Sequence, residues 1–472
     1  MQNNTRKSEE KRVMPPTSPE REARLAEARA HEEKLKDREH RIKFKRSAPN
    51  HSRKISFTPA PSGAAAIIPP KEMRKKVKKR VKTQKERLAR FDFPFFTIVI
   101  VLLAFGIVTM FSASYAFAFR EHGNSYFFIT RQLWFIGGGL AAMMILSRIS
   151  YRFMLNKYLI RFGAGATLGV MAFVALAGQT QGGAGRWLDI GGTMVQPSEV
   201  LKFAVIVVFA YWIHENHHMF GDTTRLIDEN GKERGFTRGF KQGFLPMLIF
   251  LIVSCVLMLA QPHLSGAIIV FMIGFIMMFI GDCKIRHIIL ALTVFVAFAA
   301  AGISMLEAAG YDYFSSRILS WQNPEADIRG DTFQTYQSLI TIGSGGWFGL
   351  GLGNSRQKFA YLPASHNDFI FSIICEELGF IGAIVVILLF VLFVARGFYI
   401  AVCARDKFGM MLAAGITSQL GVQALLNIGV VTNAVPNTGI SLPFFSYGGS
   451  ALMMQLAGIG VVLNISRKAA IE

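Results

Sequence analysis

Ten apolar stretches run along the chain, at 94–116, 126–147, 158–178, 197–213, 243–261, 264–281, 287–306, 369–395, 409–430 and 448–465. Crossing the hydrocarbon of a bilayer as an α-helix takes ~17–25 residues, so the pattern predicts an all-α, polytopic membrane protein with about ten transmembrane helices. The connections between them alternate in charge. One set carries Arg148, Arg152 and Lys157, then Arg225, Lys232, Arg234, Arg238 and Lys241, then Lys284 and Arg286, then Arg396, Arg405 and Lys407, and finally Arg467 and Lys468. Basic connections stay in the cytoplasm, which puts both termini there and three polar stretches, 179–196, 307–368 and 431–447, outside. The middle stretch joins predicted helices 7 and 8. It is far longer than a helix connection needs, and loops of that size usually carry function. The predicted organisation is a tail over 1–91, a membrane domain over 92–468 with its large outer loop at 307–368, and a short end over 469–472.

Composition sharpens this picture at the N-terminal end. Residues 1–91 hold 27 of the 51 Lys/Arg against 11 of the 31 Asp/Glu, so most of the formal +20 sits there. A basic tail on a nearly neutral apolar body points to anionic lipid headgroups. No RNA-binding motif or aromatic interleaving accompanies the charge, which speaks against nucleic acid. Ser18 to Arg46 alternates charges, as a solvated helix or a disordered segment does, and Pro59 to Pro70 is a small-residue linker. The basic run Lys71 to Arg80 either holds the inner leaflet or simply sets topology. At 51% hydrophobic residues the chain is too apolar for an ordinary soluble protein, and the long polar lead before the first apolar run is unlike a secretory signal. Cys255, Cys283, Cys375 and Cys403 lack metal-ligand spacing and avoid the stretches placed outside, so free thiols are expected.

Three groups of polar residues gather at the predicted outer ends of the spans. Carboxylates at membrane depth cost ~2.5–3.5 kcal/mol each and persist mostly where they work. Within Tyr361 to Gly379, Asp368 stands at the mouth of a long apolar segment that carries Glu376 and Glu377 inward. Asp368 fits two roles, an N-cap for a helix starting at Phe369 or a proton acceptor; His366 serves either the site or the fold. Counting round a helix places Glu376 about 80° from Asp368 and Glu377 opposite it. One glutamate is therefore expected to face the same cavity, and the other to pair with a neighbouring helix. In the second group, Gly185 to Gly192 leads to Gln196-Pro-Ser-Glu-Val-Leu-Lys202, which reads as a loop entering a helix at Pro197, with Gln196 or Ser198 near the cap. Glu199 and Lys202 share a face. They either stabilise a helix end or, with Arg186 and the helix N-terminus, build an anion site for a pyrophosphate. The third group runs from Asn437 to Ser450, where Pro443 and Gly448-Gly449 predict either a broken or re-entrant segment or small-residue helix packing. Ser338 to Gly346 and Gly349 to Asn354 are glycine-rich turns or close approaches, and no GK[ST] follows to make a P-loop.

In order and spacing these motifs resemble the SEDS family of cell-wall proteins, the group containing FtsW, RodA and SpoVE, over roughly 92–468. Arg186-Trp187 with Gln196-Pro-Ser-Glu199 resembles the family's first outer-loop motif, and Gln261-Pro-His-Leu264 its QPDL step between the fifth and sixth spans. Ile342 to Gly346 and Leu362-Pro-Ala-Ser-His-Asn-Asp-Phe-Ile-Phe371 resemble the large outer loop, and Pro443-Phe-Phe-Ser-Tyr-Gly-Gly-Ser450 the final signature. With Asn437-Thr-Gly439 ahead of it, that signature looks most like the division branch, FtsW, with the sporulation branch close by. His263 stands where the family usually has Asp, so any acidic role at that step is lost or moved. Ala364 replaces a common Glu and Asn367 a common Thr.

The resemblance implies a peptidoglycan glycosyltransferase. It would polymerise lipid II into β-1,4-linked glycan with release of undecaprenyl pyrophosphate, at the septum of a dividing cell. It implies Asp368 as the catalytic base, and Arg186, Trp187, Glu199, Lys202, His366, Ser446, Tyr447 and Gly448 as substrate-binding residues. Trp187 would stack on a sugar or pack under the loop, and a divalent cation (Mg or Mn) could accompany the pyrophosphate. The implied partners are a class B penicillin-binding protein transpeptidase, other division proteins and membrane lipids. Two other classes of function use the same features: a flippase for the same lipid, and a non-enzymatic division scaffold working through the tail and cytoplasmic loops.

Overall fold

The structure, a computed structural model, describes residues 92–469 apart from 178, 182–183, 191–192, 221–238, 262, 309–312, 331 and 360. These residues belong to one compact unit, Lys76–Glu472. The readings of the basic tail, and of Arg225, Lys232, Arg234 and Arg238, lie outside the described residues.

Twelve α-helices follow one another among the described residues: α1 Phe93–His122, α2 Phe127–Leu146, α3 Lys157–Ala177, α4 Pro197–Phe220, α5 Leu245–Leu259, α6 Leu264–Ile280, α7 Ile285–Ala308, α8 Tyr313–Gln322, α9 Phe333–Ser344, α10 Ile370–Val402, α11 Lys407–Val431 and α12 Gly449–Lys468. Eight of these, α1 to α4, α7 and α10 to α12, are long and apolar enough to cross a membrane. The fifth and sixth predicted spans are the shorter apolar helices α5 and α6, of 15 and 17 residues. A π-helical turn, Gly239–Phe244, takes up the start of the fifth.

Two expectations need correction. The stretch 179–196, read as a polar loop, holds a small sheet in an otherwise helical chain: β1 Gln179–Gln181, β2 Ala184–Ile190 and β3 Thr193–Val195 form an antiparallel meander in the order β1-β2-β3, with Gln179 opposite Trp187 and Leu188 opposite Val195. Glycine pairs stand between these strands in the sequence, as tight antiparallel connections favour. The long stretch 307–368 in turn holds α8 and α9, so Ser338 to Ser344 is helical rather than a glycine loop.

Local chemistry explains where the helices begin. The Asp92 carboxylate accepts from Phe95 N at 2.8 Å as the N-cap of α1, with proline in the first turn. The same carboxylate takes a two-pronged contact from Arg396 of α10, at 3.1 and 2.8 Å. Asp406 caps α11 by accepting from Gly409 N at 2.7 Å; its other oxygen accepts from Tyr151 at 2.8 Å and Arg152 at 2.9 Å. These ties hold the end of the bundle that the charge pattern places inside.

Most of α4, α11 and α12 is buried within the bundle, while α2, α3 and α7 turn large apolar side chains such as Trp134, Phe162, Leu176 and Val296 outward. Lipid tails do not drive helices together as water does, so close packing must. A Cβ at Gly460 of α12 would stand 2.5 Å from the Met143 carbonyl oxygen of α2, so only glycine allows this crossing. Within the last signature itself, a Cβ at Gly449 would overlap the Phe135 ring of α2, so both readings of that stretch find support. Helix α12 packs through small residues, and the segment 432–448 before it is non-helical, with Phe444 at φ 69°.

A break also interrupts α10, at Gly379 (φ 66°, ψ −167°). The segment after α9 lies across it: Leu350 N and Gly351 N donate to the Glu376 and Glu377 carbonyls at 2.9 Å, and Phe380 N donates to the Gly346 carbonyl at 2.9 Å.

Candidate functional site

At the end of the bundle that the charge pattern places outside, a cavity of about 860 Å³ opens between α2, α4, α6 and the segments around 366–368 and 439–451. Asp368 lines it. The helix after Asp368 starts at Ile370, with Phe369 and not Asp368 in the N-cap position. The Asp368 carbonyl oxygen accepts from Asn427 Nδ2 of α11 at 2.7 Å, and the same amide donates to the Ile440 carbonyl at 2.6 Å. One buried asparagine thus ties together the two segments that wall the cavity. Asp368 Oδ2 lies 3.4 Å from where a Cβ would stand on Gly439, whose φ of +68° favours glycine.

His366 also lines the cavity, but it is 6% exposed and packed among Phe117, Phe128 and Tyr447, with ring centroids 4.9, 4.8 and 6.3 Å away. Burial pushes its pKa down to about 4, so the ring is neutral near pH 7. Its carbonyl accepts from Tyr447 N at 3.0 Å.

Glu199 and Lys202 sit on the first turns of α4, both buried, and form an ion pair at 2.6 Å on the cavity wall. Glu199 Oε2 has no hydrogen-bond partner among the described residues. Trp187, Tyr447 and Gly448 line the cavity as well. Ser446 stands behind the wall: it donates to the Asn367 carbonyl and accepts from Leu442 N, each at 2.7 Å, and so braces the segment carrying Asp368. Arg186 belongs to β2, and its side chain lies outside those described.

Neither Glu376 nor Glu377 lines the cavity, contrary to the expectation for one of them. Asp368 precedes the helix, so counting rotation from it misplaces Glu376, whereas Glu377 does pair with a neighbouring helix as expected. Glu377 accepts from Ser112 of α1 at 2.7 Å and from Lys358 at 2.9 Å, in an ion pair where both side chains are at most 2% exposed. Glu376 accepts from Ser355 Oγ and, at 3.1 Å, from Arg356 N.

The residues that motif reading passed over come mostly from inside the spans. Gln423 and Asn427 stand four apart on one face of α11, and Gln132 of α2 accepts from Gly448 N at 3.4 Å. Buried amides within apolar runs are themselves a signal, because each must find partners. Arg131 of α2 lines the cavity mouth with its guanidinium 4.3 Å over the Phe127 ring. All four cysteines are free thiols. Among the described residues no group of three or more His, Cys, Asp or Glu side chains is placed to hold a metal ion.

Comparison with known proteins settles the family. A family model described as cell cycle protein, covering FtsW, RodA and SpoVE, matches residues 93–471. The chain belongs to this family. Among its FtsW/RodA/SpoVE relatives, stage V sporulation protein E of Bacillus subtilis (strain 168) is 36% identical over 375 residues, covering 78% of this chain and 95% of the relative. A protein named "Probable peptidoglycan glycosyltransferase FtsW" from Trichlorobacter lovleyi is 36% identical over 380 residues, covering 80% of this chain and 94% of the relative. Among solved structures, a chain of a peptidoglycan synthase complex superposes with a TM-score of 0.61 at 26% identity, covering 80% of this chain and 98% of that one. The rod shape determining protein RodA of Thermus thermophilus does so with a TM-score of 0.56 at 27% identity, covering 81% and 98%. The chain thus has the polytopic membrane architecture of the FtsW/RodA/SpoVE family.

Proposed function

We propose that this protein is a peptidoglycan glycosyltransferase that polymerises lipid II into β-1,4-linked glycan strands, in septal wall synthesis. Asp368 accepts the proton of the acceptor sugar's 4-hydroxyl as that oxygen attacks the donor's anomeric carbon. The bond from that carbon to undecaprenyl pyrophosphate breaks with inversion, and the pyrophosphate leaves with the bonding pair. Pyrophosphate is a good leaving group without protonation, so one positioned carboxylate suffices. Lys202 and Arg186 offset the charge that develops on it, with Glu199, Trp187, His366, Tyr447 and Gly448 around the sugars and Ser446 bracing the wall. The observation that carries this reading is a carboxylate, Asp368, sharing one cavity with the buried Lys202, where Trp134 is 83% exposed on the outer surface of α2 and lines the same opening. A prenyl chain can therefore stay in lipid while its headgroup enters.

The family relatives named as glycosyltransferases and the likeness to a chain of a peptidoglycan synthase complex support the activity. The likeness to a chain of a peptidoglycan synthase complex also supports a class B penicillin-binding protein as partner; other division proteins would join the pair in the plasma membrane. A flippase or a scaffold built on the same fold would form no polymer, with or without Asp368. The test is polymerisation of lipid II by the purified protein with its cognate transpeptidase, with Asp368→Asn alongside. Glycan from the wild type and a loss of ~10²–10⁴-fold in the folded variant are expected. Equal polymer from both would remove Asp368 as the base, and none from a verified active complex would favour the flippase.

A further inference from the structure

Two hydrogen-bond acceptors on the cavity wall meet no donor among the described residues. Gln423 and Asn367 both line the cavity, and Gln423 Oε1 and Asn367 Oδ1 are buried with no hydrogen-bond partner among the described residues. The orientation of Gln423 is set by its neighbours. Its Nε2 donates to the Ser441 carbonyl at 3.0 Å and to Ser441 Oγ at 3.2 Å. A carbonyl only accepts, so the nitrogen must face Ser441 and the oxygen must face away from it. Gln423 is 1% exposed, and Asn427 one turn on is fully buried and tied to the Asp368 and Ile440 carbonyls. The Gln423 oxygen is thus held on a stiff helix face, one turn from the residue that fixes the backbone of Asp368.

A buried acceptor without a donor is unfavourable unless a ligand supplies one. Pyrophosphate oxygens are acceptors too and suit Lys202, not this wall. We propose that Gln423 is a substrate-contact residue whose Oε1 accepts a hydrogen bond from an N–H or O–H of a sugar in the cavity, with Asn367 Oδ1 offering a second acceptor beside Asp368. The proposal rests on the glycosyltransferase reading and divides the cavity into a cationic side for the leaving group and an acceptor side for the saccharide. An N-acetylhexosamine presents both kinds of donor, the acetamido N–H and its hydroxyls.

Two analogues of the lipid-linked precursor separate them: one with each acetamido N–H replaced by an ester oxygen, and one lacking the 6-hydroxyls. Polymerisation kinetics are measured on the complex with the transpeptidase for the wild type, Gln423→Met, Gln423→Glu and Asp368→Asn. The wild type should lose about tenfold in kcat/KM on one analogue. Gln423→Met should lose about as much on the natural substrate, chiefly through KM, and should no longer distinguish the two. Gln423→Glu keeps an acceptor oxygen but sets a carboxylate against the Ser441 carbonyl, so it should be slower on every substrate while retaining the discrimination. Should Gln423→Met fail to fold, Gln423→Asn, which withdraws the amide by one methylene, is read in the same way. Discrimination by the methionine or asparagine variant equal to that of the wild type overturns the proposal. Polymer from Asp368→Asn would overturn the underlying reading instead, whatever Gln423 does.

Discussion

Asp368 and His366 stand two residues apart and meet water differently: the aspartate is half-buried at the cavity, while the histidine is enclosed by aromatic rings. With its pKa at about 4 instead of 6.5, His366 is neutral in the folded protein where the unfolded chain would take up a proton. Stability should therefore fall as pH drops from 6.5 to 4 and level off below, by roughly 3 kcal/mol for a fully expressed shift. Thermal melts in detergent across that range, with His366→Phe flattening the slope, check this. Asn427 gives a second prediction. Replacing it by Asp sets a carboxylate against the Asp368 and Ile440 carbonyls, and a displacement of ~1 Å at the base should lower kcat ~100-fold while lipid II binding persists. Polymerisation and binding assays on one preparation separate the two effects. Asp368 was legible in the sequence because a carboxylate at the mouth of an apolar run stands out. Gln423 and Asn427 were not singled out, because their partners are backbone carbonyls of segments far along the chain.

At the scale of elements, the break in α10 organises the loop that leads to Asp368. Gly349 and Gly379 let two backbones meet where a Cβ on either would overlap the other segment. Glu376 and Glu377 then grip residues 355–358 from the same place. Lys358 is wholly buried, donates to the Gly353 carbonyl at 2.6 Å, and is paired with Glu377. Removing one partner of such a pair leaves an uncompensated charge, so Lys358→Met should cost ~3–5 kcal/mol. The double variant Lys358→Met/Glu377→Leu should recover much of that, as chemical or thermal unfolding of both variants would show. In the sequence Lys358 is one more basic residue in a polar loop; only the fold-back of 345–358 onto α10 buries it. The strands at 179–195 were hidden for a related reason. Each is at most seven residues long and finds its hydrogen bonds in the next strand rather than within itself.

Across the whole molecule, polar ties mark both ends of an apolar bundle. Tyr151, between α2 and α3, has its pKa raised to about 12 by burial and by its hydrogen bond to Asp406. Tyr151, Arg152 and Asp406 lie with Asp92 and Arg396 at the end that the charge pattern places in the cytoplasm. The orientation predicts labelling: in intact cells a membrane-impermeant maleimide should modify Glu121→Cys. It should modify Arg405→Cys only after permeabilisation, both in a Cys403→Ser background. The reverse pattern would invert the topology and remove the cavity from the outer face.

The sequence by itself determined the membrane class, the order of the ten apolar segments, the family resemblance and the candidacy of Asp368. All of these follow from local quantities, the run length of apolar residues, the spacing of motifs and the cost of a charge in an apolar run. The tertiary structure decided which polar groups meet. It placed Asp368 before the helix instead of at its cap, turned Glu376 and Glu377 away from the cavity, and brought Gln423 and Asn427 to its wall. Those outcomes depend on contacts between residues tens to hundreds of positions apart, and no local pattern carries the geometry of such contacts.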